Sequence, residues 1–578
     1  PNNNSQEKSE AIEQKIRELQ QKIKPFANFV AWDLEWMPEP DETGVKRITT
    51  ASFVDSNGKK KVFHILEKPF VNSPVPAEAL ITAILDELSN YDISIGHNIC
   101  GVSDGKGRGV DSDLIILQSN CYANNIGPSK FELSRTHINR NTRTISMPVV
   151  RINERSHECI DTLKIFDNQA IKTALASEGI EYRTNKLDEI SKAVLGESEG
   201  GKLQDRDGIK IHNLPVEKQK EYCLRDSELV MKLIQYKDGN QKIMKMLNTI
   251  SALIGLSLIQ TCHGTPMSWW KKILENTGRL LPSQIEKLPY TGGKVYKPIP
   301  GFYEGLLNVD VASLYPTMAI TYNISPETVN CDCCRNDPEA RVKQEVLQVI
   351  NKDLLKVQKI EKPRDYWICR HTKGIFSELQ EEFRDIRLYY KKIDRPKADA
   401  LKILTNSGYG VFGNEYFKYR DYRVADLIAG YGRYTLDKMK EIAESFGFKI
   451  IYGDTDSLFF QGDDESKLEL FIKACHDMLK VDIELDKKFK RILFNGNGKG
   501  YAGITTEGKF SNPDNPLIKG AYAIKDNVHR LFEKRYRQFI KELLTDGISN
   551  IENIVKNVIL KTIQDLRNKR VDNYADLL

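Results

Sequence analysis

The spacing of apolar positions changes along this chain, and each change predicts an element. Over residues 5–24, Ile12, Ile16, Leu19 and Ile23 recur at helical spacing among charges, which predicts an amphipathic helix packed on a neighbour. Phe29-Val30-Ala31-Trp32-Asp33-Leu34-Glu35 then reads as a strand. At a period of two, Asp33 and Glu35 point to the same side. Cys159-Ile160-Asp161-Thr162-Leu163 reads as another strand. Tyr222 to Asp226 opens a helix that continues through Leu229, Val230 and Leu233, with Tyr222 and Asp226 one turn apart on one face. Residues 247–290 are largely helical, carry Trp269-Trp270, and end in Tyr290-Thr291-Gly292-Gly293. Leu306, Leu307 and Val309 make a short strand ended by Asp310. Gly374-Ile375-Phe376 opens a long helix along which Arg384, Arg387 and Lys391 recur; Pro396 breaks it, and the next helix carries Lys402 and Asn406. Finally, Phe448, Ile450 and Ile451 precede Tyr452-Gly453-Asp454-Thr455-Asp456-Ser457, and Leu458, Phe459 and Phe460 follow it. That pattern predicts two strands joined by a tight turn with carboxylates at its tip.

Composition narrows the class. A chain of 578 residues exceeds one core and predicts roughly three to five domains. Hydrophobic content of 40% and charged content of 29% are those of a soluble globular protein. The net charge of +5 is small for this length, so binding to a polyanion would depend on local clustering. No apolar stretch reaches about 18 residues and no signal-like N-terminus is present, which predicts a cytoplasmic chain with no membrane partner. The first residue is Pro1, consistent with a trimmed fragment or with loss of an initiator Met. Of the ten cysteines most read as scattered core thiols, but Cys331, Cys333 and Cys334 are followed by Cys369 and His371. A structural Zn²⁺ on Cys331, Cys334, Cys369 and His371 fits that spacing; a thiol-rich loop or a disulfide fits it too.

Two acids as close as Asp454 and Asp456 repel each other unless a cation sits between them, and a hard divalent ion such as Mg²⁺ takes one or two carboxylates plus substrate phosphates. Taken alone, the turn is a polar surface loop. Its company changes the reading: Asp310-Val311-Ala312-Ser313-Leu314-Tyr315-Pro316 lies upstream, and Lys402-Ile403-Leu404-Thr405-Asn406-Ser407-Gly408-Tyr409-Gly410 lies between. These read DxxSLYP, KxxxNSxYG and YGDTDS, unbroken and in order, and the chain resembles the family B DNA polymerases over roughly residues 27–510. The resemblance implies template-directed nucleotidyl transfer with two Mg²⁺ ions, Mn²⁺ able to substitute, on Asp310 and Asp456 with Asp454 beside them. Arg387 and Lys402 align with the family's triphosphate ligands; Ser313, Leu314, Tyr315, Asn406 and Tyr409 complete the nucleotide site. Tyr315 would stack under the sugar and exclude a 2′-hydroxyl, and Tyr409 would line the nascent pair. Tyr290-Thr291-Gly292-Gly293 resembles the YxGG element that contacts single-stranded template; a plain Gly-Gly turn is the alternative. Lys499-Gly500-Tyr501, after the basic run Lys487 to Arg491, resembles the KxY motif that tracks duplex, although a Lys cluster also suits a solvated surface.

The N-terminal third resembles the family's DEDDy 3′–5′ proofreading exonuclease. Asp33 and Glu35 match its first motif, Tyr222 and Asp226 its third, and together the carboxylates would hold two metal ions while Tyr222 orients the attacking water. Gly96-His97-Asn98 begins the second motif, but a Gly-rich insertion from Gly101 to Gly109 follows, and Asp104, Asp111 and Asp113 compete for the acid. We take Asp113, because Leu114-Ile115-Ile116-Leu117 continues as an apolar helix; Asp111 is second.

The expected architecture is therefore α+β and multidomain: an RNase H-like exonuclease plus a right-hand palm, fingers and thumb. The expected segments are an N-terminal helix (1–26), the exonuclease (27–240), linker helices with the first palm segment (241–339), fingers (340–412), the second palm segment (413–510) and a short thumb (511–578). The short interval from Asn406 to Asp454 leaves no room for the insertion of protein-primed members, so a nucleic-acid primer is expected. Expected partners are primer-template DNA, dNTPs and a sliding clamp or other processivity factor. A nuclease with a decayed polymerase site, or a DNA-binding scaffold of the same fold, remain alternatives.

Overall fold

β1 (Phe29–Trp36) carries Asp33 and Glu35 in a sheet with β2 (Ile48–Asp55), β3 (Lys60–His64), β4 (Ile93–Gly96), β5 (Phe131–Thr136), β6 (Met147–Ile152) and β7 (Arg155–Asp161). The order is β3-β2-β1-β4-β7-β6-β5. β1, β4 and β7 run parallel at the centre, and antiparallel partners extend both edges. The period-two reading of β1 holds. Val30, Trp32 and Leu34 join one apolar core with Ile81 and Leu85, while Asp33 and Glu35 on the other face are only half-buried. The helix Val216–Ile234 packs across β1 and β2 and buries Tyr222, Asp226, Leu229 and Leu233.

The computed structural model describes residues 2–23, 28–100, 112–136, 147–203, 210–235, 242–279, 281, 287–357, 362–462, 465–496, 498–508, 510–521, 528–568 and 570. The chain forms two compact units. One is Pro1–Leu280 with Glu382–Lys418; the other is Leu281–Glu381 with Tyr419–Leu578. The segment 340–412, expected as fingers, is divided between them inside the helix Ile375–Ile393. Asp104 and Asp111 lie outside the described residues.

In the first unit the N-terminal helix Asn2–Lys22 buries Ile16 and Leu19, as its spacing predicts. Trp269 and Trp270 are fully buried, and the Trp270 indole N–H donates to the Leu404 carbonyl (3.1 Å) and Ser407 Oγ (3.2 Å). This ties the helix Pro266–Asn276 to the helix Arg395–Phe412. Truncating such an indole to Ala removes about 3–5 kcal/mol. The helix Ile375–Ile393 stops where Asp394 caps the next one, with Pro396 in its first turn.

The second unit holds a wholly antiparallel sheet of β8 (Val295–Tyr296), β9 (Gly301–Val311), β10 (Lys449–Asp454), β11 (Ser457–Gln461), β12 (Ile483–Phe494), β13 (Tyr501–Thr505) and β14 (Leu517–Lys519). Its order is β14-β13-β12-β9-β11-β10-β8. Leu306, Ile451, Tyr452, Phe459, Phe489, Ile492 and Phe494 form its core. The helix Tyr422–Ser445 packs beside β10 and beside the helix Leu314–Thr321. Helices Arg530–Asp546 and Lys561–Arg567 follow the sheet. No helix among the described residues is long and apolar enough to cross a membrane.

Candidate functional site

Among the described residues, strand register brings one set of expected acids together in the second unit, and a strand and two helices bring another together in the first. In the second unit, strand register assembles the first. β11 lies between β9 and β10, with Ser457 opposite both Asp310 and Asp454. The Val311 N–H donates to the Asp456 carbonyl (2.8 Å), so the end of the Asp310 strand is pinned to the hairpin tip. The tip is tight: Asp454 pairs with Ser457, leaving Thr455 and Asp456 as the loop. Thr455 takes φ +56°, and the Asp456 N–H reaches back to the Asp454 carbonyl (2.6 Å), the i to i+2 bond of a γ-turn. A β-branched residue at positive φ is an outlier that stores strain, as is common at functional sites. Ser313, at the head of the helix after Asp310, takes φ +58°.

Asp310, Asp454 and Asp456 are each half-buried. Asp454 accepts from Thr455 Oγ1 (3.0 Å) and Tyr452 Oη (3.3 Å), and the Lys499 ammonium lies 2.9 Å from its Oδ1. A side-chain cation thus already answers the charge of this hairpin. Tyr315 is packed over Gly432: a Cβ there would come within 3.0 Å of the ring. Burial first, then the negative charge of Asp456, pushes the Tyr315 phenol up to about 12. Gly293 approaches equally closely, since a Cβ would meet Thr455 Oγ1 at 2.7 Å and the Tyr315 hydroxyl at 2.9 Å. The Tyr290–Gly293 segment therefore lies against the hairpin. It is held there by Arg433, a buried guanidinium that donates to the carbonyls of Thr291 and Gly292. Sequence reasoning missed Arg433; the available signal was a lone charge among Ile428, Ala429 and Leu436 in a helix.

Other expected residues fall less uniformly. The Leu314 side chain is buried, so a nucleotide contact from it would be through main chain. Tyr501 packs its ring against Tyr452, Phe459 and Phe494. In the basic run, Arg491 is bound to Glu304 and to the carbonyls of Leu544 and Thr545. Arg387 stands on the helix Ile375–Ile393, and Lys402, Asn406 and Tyr409 stand on Arg395–Phe412, all four in the first unit.

The first unit also carries the second grouping. Asp33 and Glu35 of β1 and Asp226 of the helix Val216–Ile234 bring carboxylate oxygens within 4.8 Å of one another. Asp113 opens the helix Asp113–Ala123 and accepts from the Leu34 N–H (2.9 Å). Burial, then repulsion from Asp226, Asp113 and Glu35, raises the Asp33 pKa well above the ordinary range. Burial pushes Asp113 to about 7. Asp33 Oδ2 is buried with no hydrogen-bond partner. A cluster that holds protons and leaves an acceptor orphaned fits a cation. Lys202 supplies one such charge by pairing with Asp226; burial opposes its charge, but Asp226 and Asp33 hold its pKa above the ordinary lysine value. Lys202 was not anticipated, because nothing in Gly201-Lys202-Leu203 marks it. Asp161 is fully buried but is a scaffold. Its carboxylate accepts from the N–H groups of Asn98 (2.7 Å), Cys100 (3.1 Å) and Leu163 (3.0 Å), fixing the Gly96-His97-Asn98 segment. Tyr222 is buried on the same helix face as Asp226.

The thiol set differs from expectation. Cys331, Cys333, Cys334 and Cys369 converge, with sulfurs within 4.8 Å of one another. His371 is exposed and outside the group. The short helical turn Asp332–Cys334 swings Cys333 to the position assigned to the imidazole.

The two sets of acids lie on an antiparallel sheet and a mixed sheet, and comparison with known proteins names the family. The profile of DNA polymerase family B matches residues 271–577, more than half of the chain, and the chain belongs to that family. Its fold is α+β and multidomain, as expected. It is 31% identical over 438 residues to DNA polymerase 1 of Sulfurisphaera ohwakuensis, covering 71% of this chain and 48% of that protein. It is 32% identical over 290 residues to a DNA polymerase of Archaeoglobus fulgidus, covering 49% of this chain and 35% of that one. The solved family B DNA polymerase of Pyrobaculum calidifontis shares the fold, with a TM-score of 0.66 at 19% identity over 95% of this chain and 66% of that one. The chain spans about half the length of the curated relatives it matches.

Proposed function

We propose that this chain extends a nucleic-acid primer on a DNA template from dNTPs, and that its first unit removes mispaired 3′ ends. The observation that carries the reading is the strand register that sets Asp310 beside the Asp454-Thr455-Asp456 tip, with Tyr315 and Gly293 against it. Asp310 and Asp456 would hold two Mg²⁺ ions, with Asp454 beside them and Mn²⁺ able to substitute. When bound, such a pair activates the attacking oxygen and neutralises charge on the departing one. Arg387 and Lys402 clamp the triphosphate, and Asn406 and Tyr409 border the base pair. Tyr315, backed by Gly432, forms a fixed floor under the sugar that disfavours a 2′-hydroxyl. Arg433, through the carbonyls of Thr291 and Gly292, holds the segment of Tyr290, Gly292 and Gly293 for the template strand. Lys499 leaves Asp454 for the duplex backbone, in contacts that are independent of base sequence and weakened by salt. Tyr501 anchors the strand that carries it.

In the first unit Asp33, Glu35, Asp113 and Asp226 would hold the second pair of ions, and Tyr222 would orient water. A frayed end reaches this site as a single strand, so editing adds discrimination beyond pairing energy. A sliding clamp or similar processivity factor is a fitting partner.

The test is extension of a labelled primer-template with Mg²⁺ and dNTPs, alongside Asp456→Ala and Asp33→Ala. Extension by wild type, with only shortening by Asp456→Ala, supports both assignments. Shortening alone by wild type overturns the polymerase reading for this chain.

A further inference from the structure

The four sulfurs belong to the second unit and to residues that neither carboxylate set uses. We propose that Cys331, Cys333, Cys334 and Cys369 bind one Zn²⁺ as a tetrathiolate that ties off a loop of the fold. This inference is independent of the polymerase reading.

Geometry carries it. Cys333 Sγ lies 3.5 Å from Cys331 Sγ, 3.7 Å from Cys334 Sγ and 3.6 Å from Cys369 Sγ. A tetrahedral ion with Zn–S bonds of about 2.3 Å spaces its sulfurs by about 3.8 Å. A disulfide needs about 2.05 Å, and all four cysteines are free thiols. A multi-iron cluster would spread its cysteine sulfurs more widely, so the spacing admits a single ion; four sulfurs select a soft-tolerant metal over Mg²⁺.

The surroundings complete a thiolate site. The backbone N–H groups of His371 and Thr372 and the Thr372 hydroxyl (3.3 Å) are directed at the Cys369 sulfur. The Cys334 N–H is directed at the Cys331 sulfur. Donors of this kind orient a ligand and stabilise its anionic form. His371 serves through its main chain, which explains why its imidazole is not needed. On binding, each thiol gives its proton to solvent as its metal–sulfur bond forms.

The fold shows what the ion would do. Cys331 to Cys334 and Cys369 bracket residues 335–368, including the helix Gln344–Val357. The base of that excursion has isolated bridges rather than a ladder, Val329 with Ile368 and Arg341 with Trp367, together with hydrogen bonds such as the Cys369 N–H to the Thr328 carbonyl (2.9 Å) and the Trp367 indole N–H to the Cys331 carbonyl (2.7 Å). Few apolar residues pack there: Ala340 and Trp367 with the cysteines themselves. A small core of this kind is where a metal substitutes for hydrophobic burial.

The test begins with metal analysis of the full wild-type chain purified without added metal. About one zinc per chain is expected. Cobalt substitution should give the visible bands of tetrahedral thiolate coordination. Cys333→Ser should lose most of the zinc, whereas His371→Ala and the remote Cys475→Ser should keep it. Thiol titration of native wild type, needing no variant to fold, should show four fewer reactive thiols than after chelation. No zinc, or four thiols that react equally before and after chelation, would overturn the site. Iron in place of zinc would overturn the metal. Retention in Cys333→Ser with loss in His371→Ala would restore the Cys₃His set instead.

Discussion

The two carboxylate centres use the same residue types under opposite conditions. In the antiparallel sheet, Asp454 is half-buried, accepts three side-chain hydrogen bonds or ion pairs, and faces an exposed lysine. In the mixed sheet, half-buried Asp33 and buried Asp113 hold their protons well above the ordinary carboxylate range, and Asp33 leaves one oxygen orphaned. Lys499 answers Asp454 at the first site before any ion or DNA arrives. Lys202 answers Asp226 at the second but leaves Asp33 with an orphaned oxygen, so the stability of that site is tied to what it binds. Strand register alone builds the first, whereas the second draws its acids from a strand and two helices far apart in sequence.

The sharpest way to break this comparison is to remove one acid from each. Asp456→Ala should lower primer extension by about 10²–10³-fold and spare 3′ shortening of a single strand. Asp33→Ala should lower shortening by a similar factor and spare extension. Loss of both activities in either variant would show that the centres are not separable. The melting temperature in EDTA should not fall for Asp33→Ala, because an acid whose ionisation is opposed by burial and by its neighbours is removed.

A smaller effect is expected at Gly293. A methyl group there collides with Thr455 and the Tyr315 hydroxyl. Gly293→Ala should cost about 1–3 kcal/mol locally, read as a roughly tenfold or greater loss of extension with exonuclease unchanged. Unchanged extension would mean that the segment moves freely.

The pH response should separate the centres further. Carboxyls whose folded pKa is raised bind more protons folded than unfolded. Their contribution is therefore fully present below about pH 4 and is lost as pH rises through about 7, the value reached by Asp113. Metal-free protein should melt a few degrees lower at about pH 8 than at about pH 5, since roughly 1 kcal/mol moves such a unit by about 2–4 °C. Mg²⁺ should recover the difference, and Asp33→Ala should flatten it. A flat wild-type profile would sink this assignment.

The smallest effect falls on Lys499. Its side chain is 61% exposed, so Lys499→Ala should change stability by less than about 1 kcal/mol. Binding to primer-template should weaken uniformly across sequences, with the salt slope reduced by about one. An unchanged slope would keep Lys499 off the DNA.

Much of the molecule was legible along the chain. Period two in Phe29–Glu35 and the paired apolar runs around Asp454 define strands by local sterics and burial. Pro396 marks a helix boundary because it lacks an N–H, which the first turn of a helix does not need, and three motifs in order carry the family. Those are properties of neighbours in sequence, where a residue's own chemistry decides. Tertiary structure alone decided which distant groups meet. Lys202 reaches Asp226, Arg433 holds the Gly292-Gly293 turn, Asp161 becomes a scaffold, and Cys333 displaces His371 among the thiols. No periodicity encodes these pairings, because each is set by where separate elements pack. A single helical turn at Asp332–Cys334 is enough to bring Cys333 into the thiol group, while His371 stays outside it.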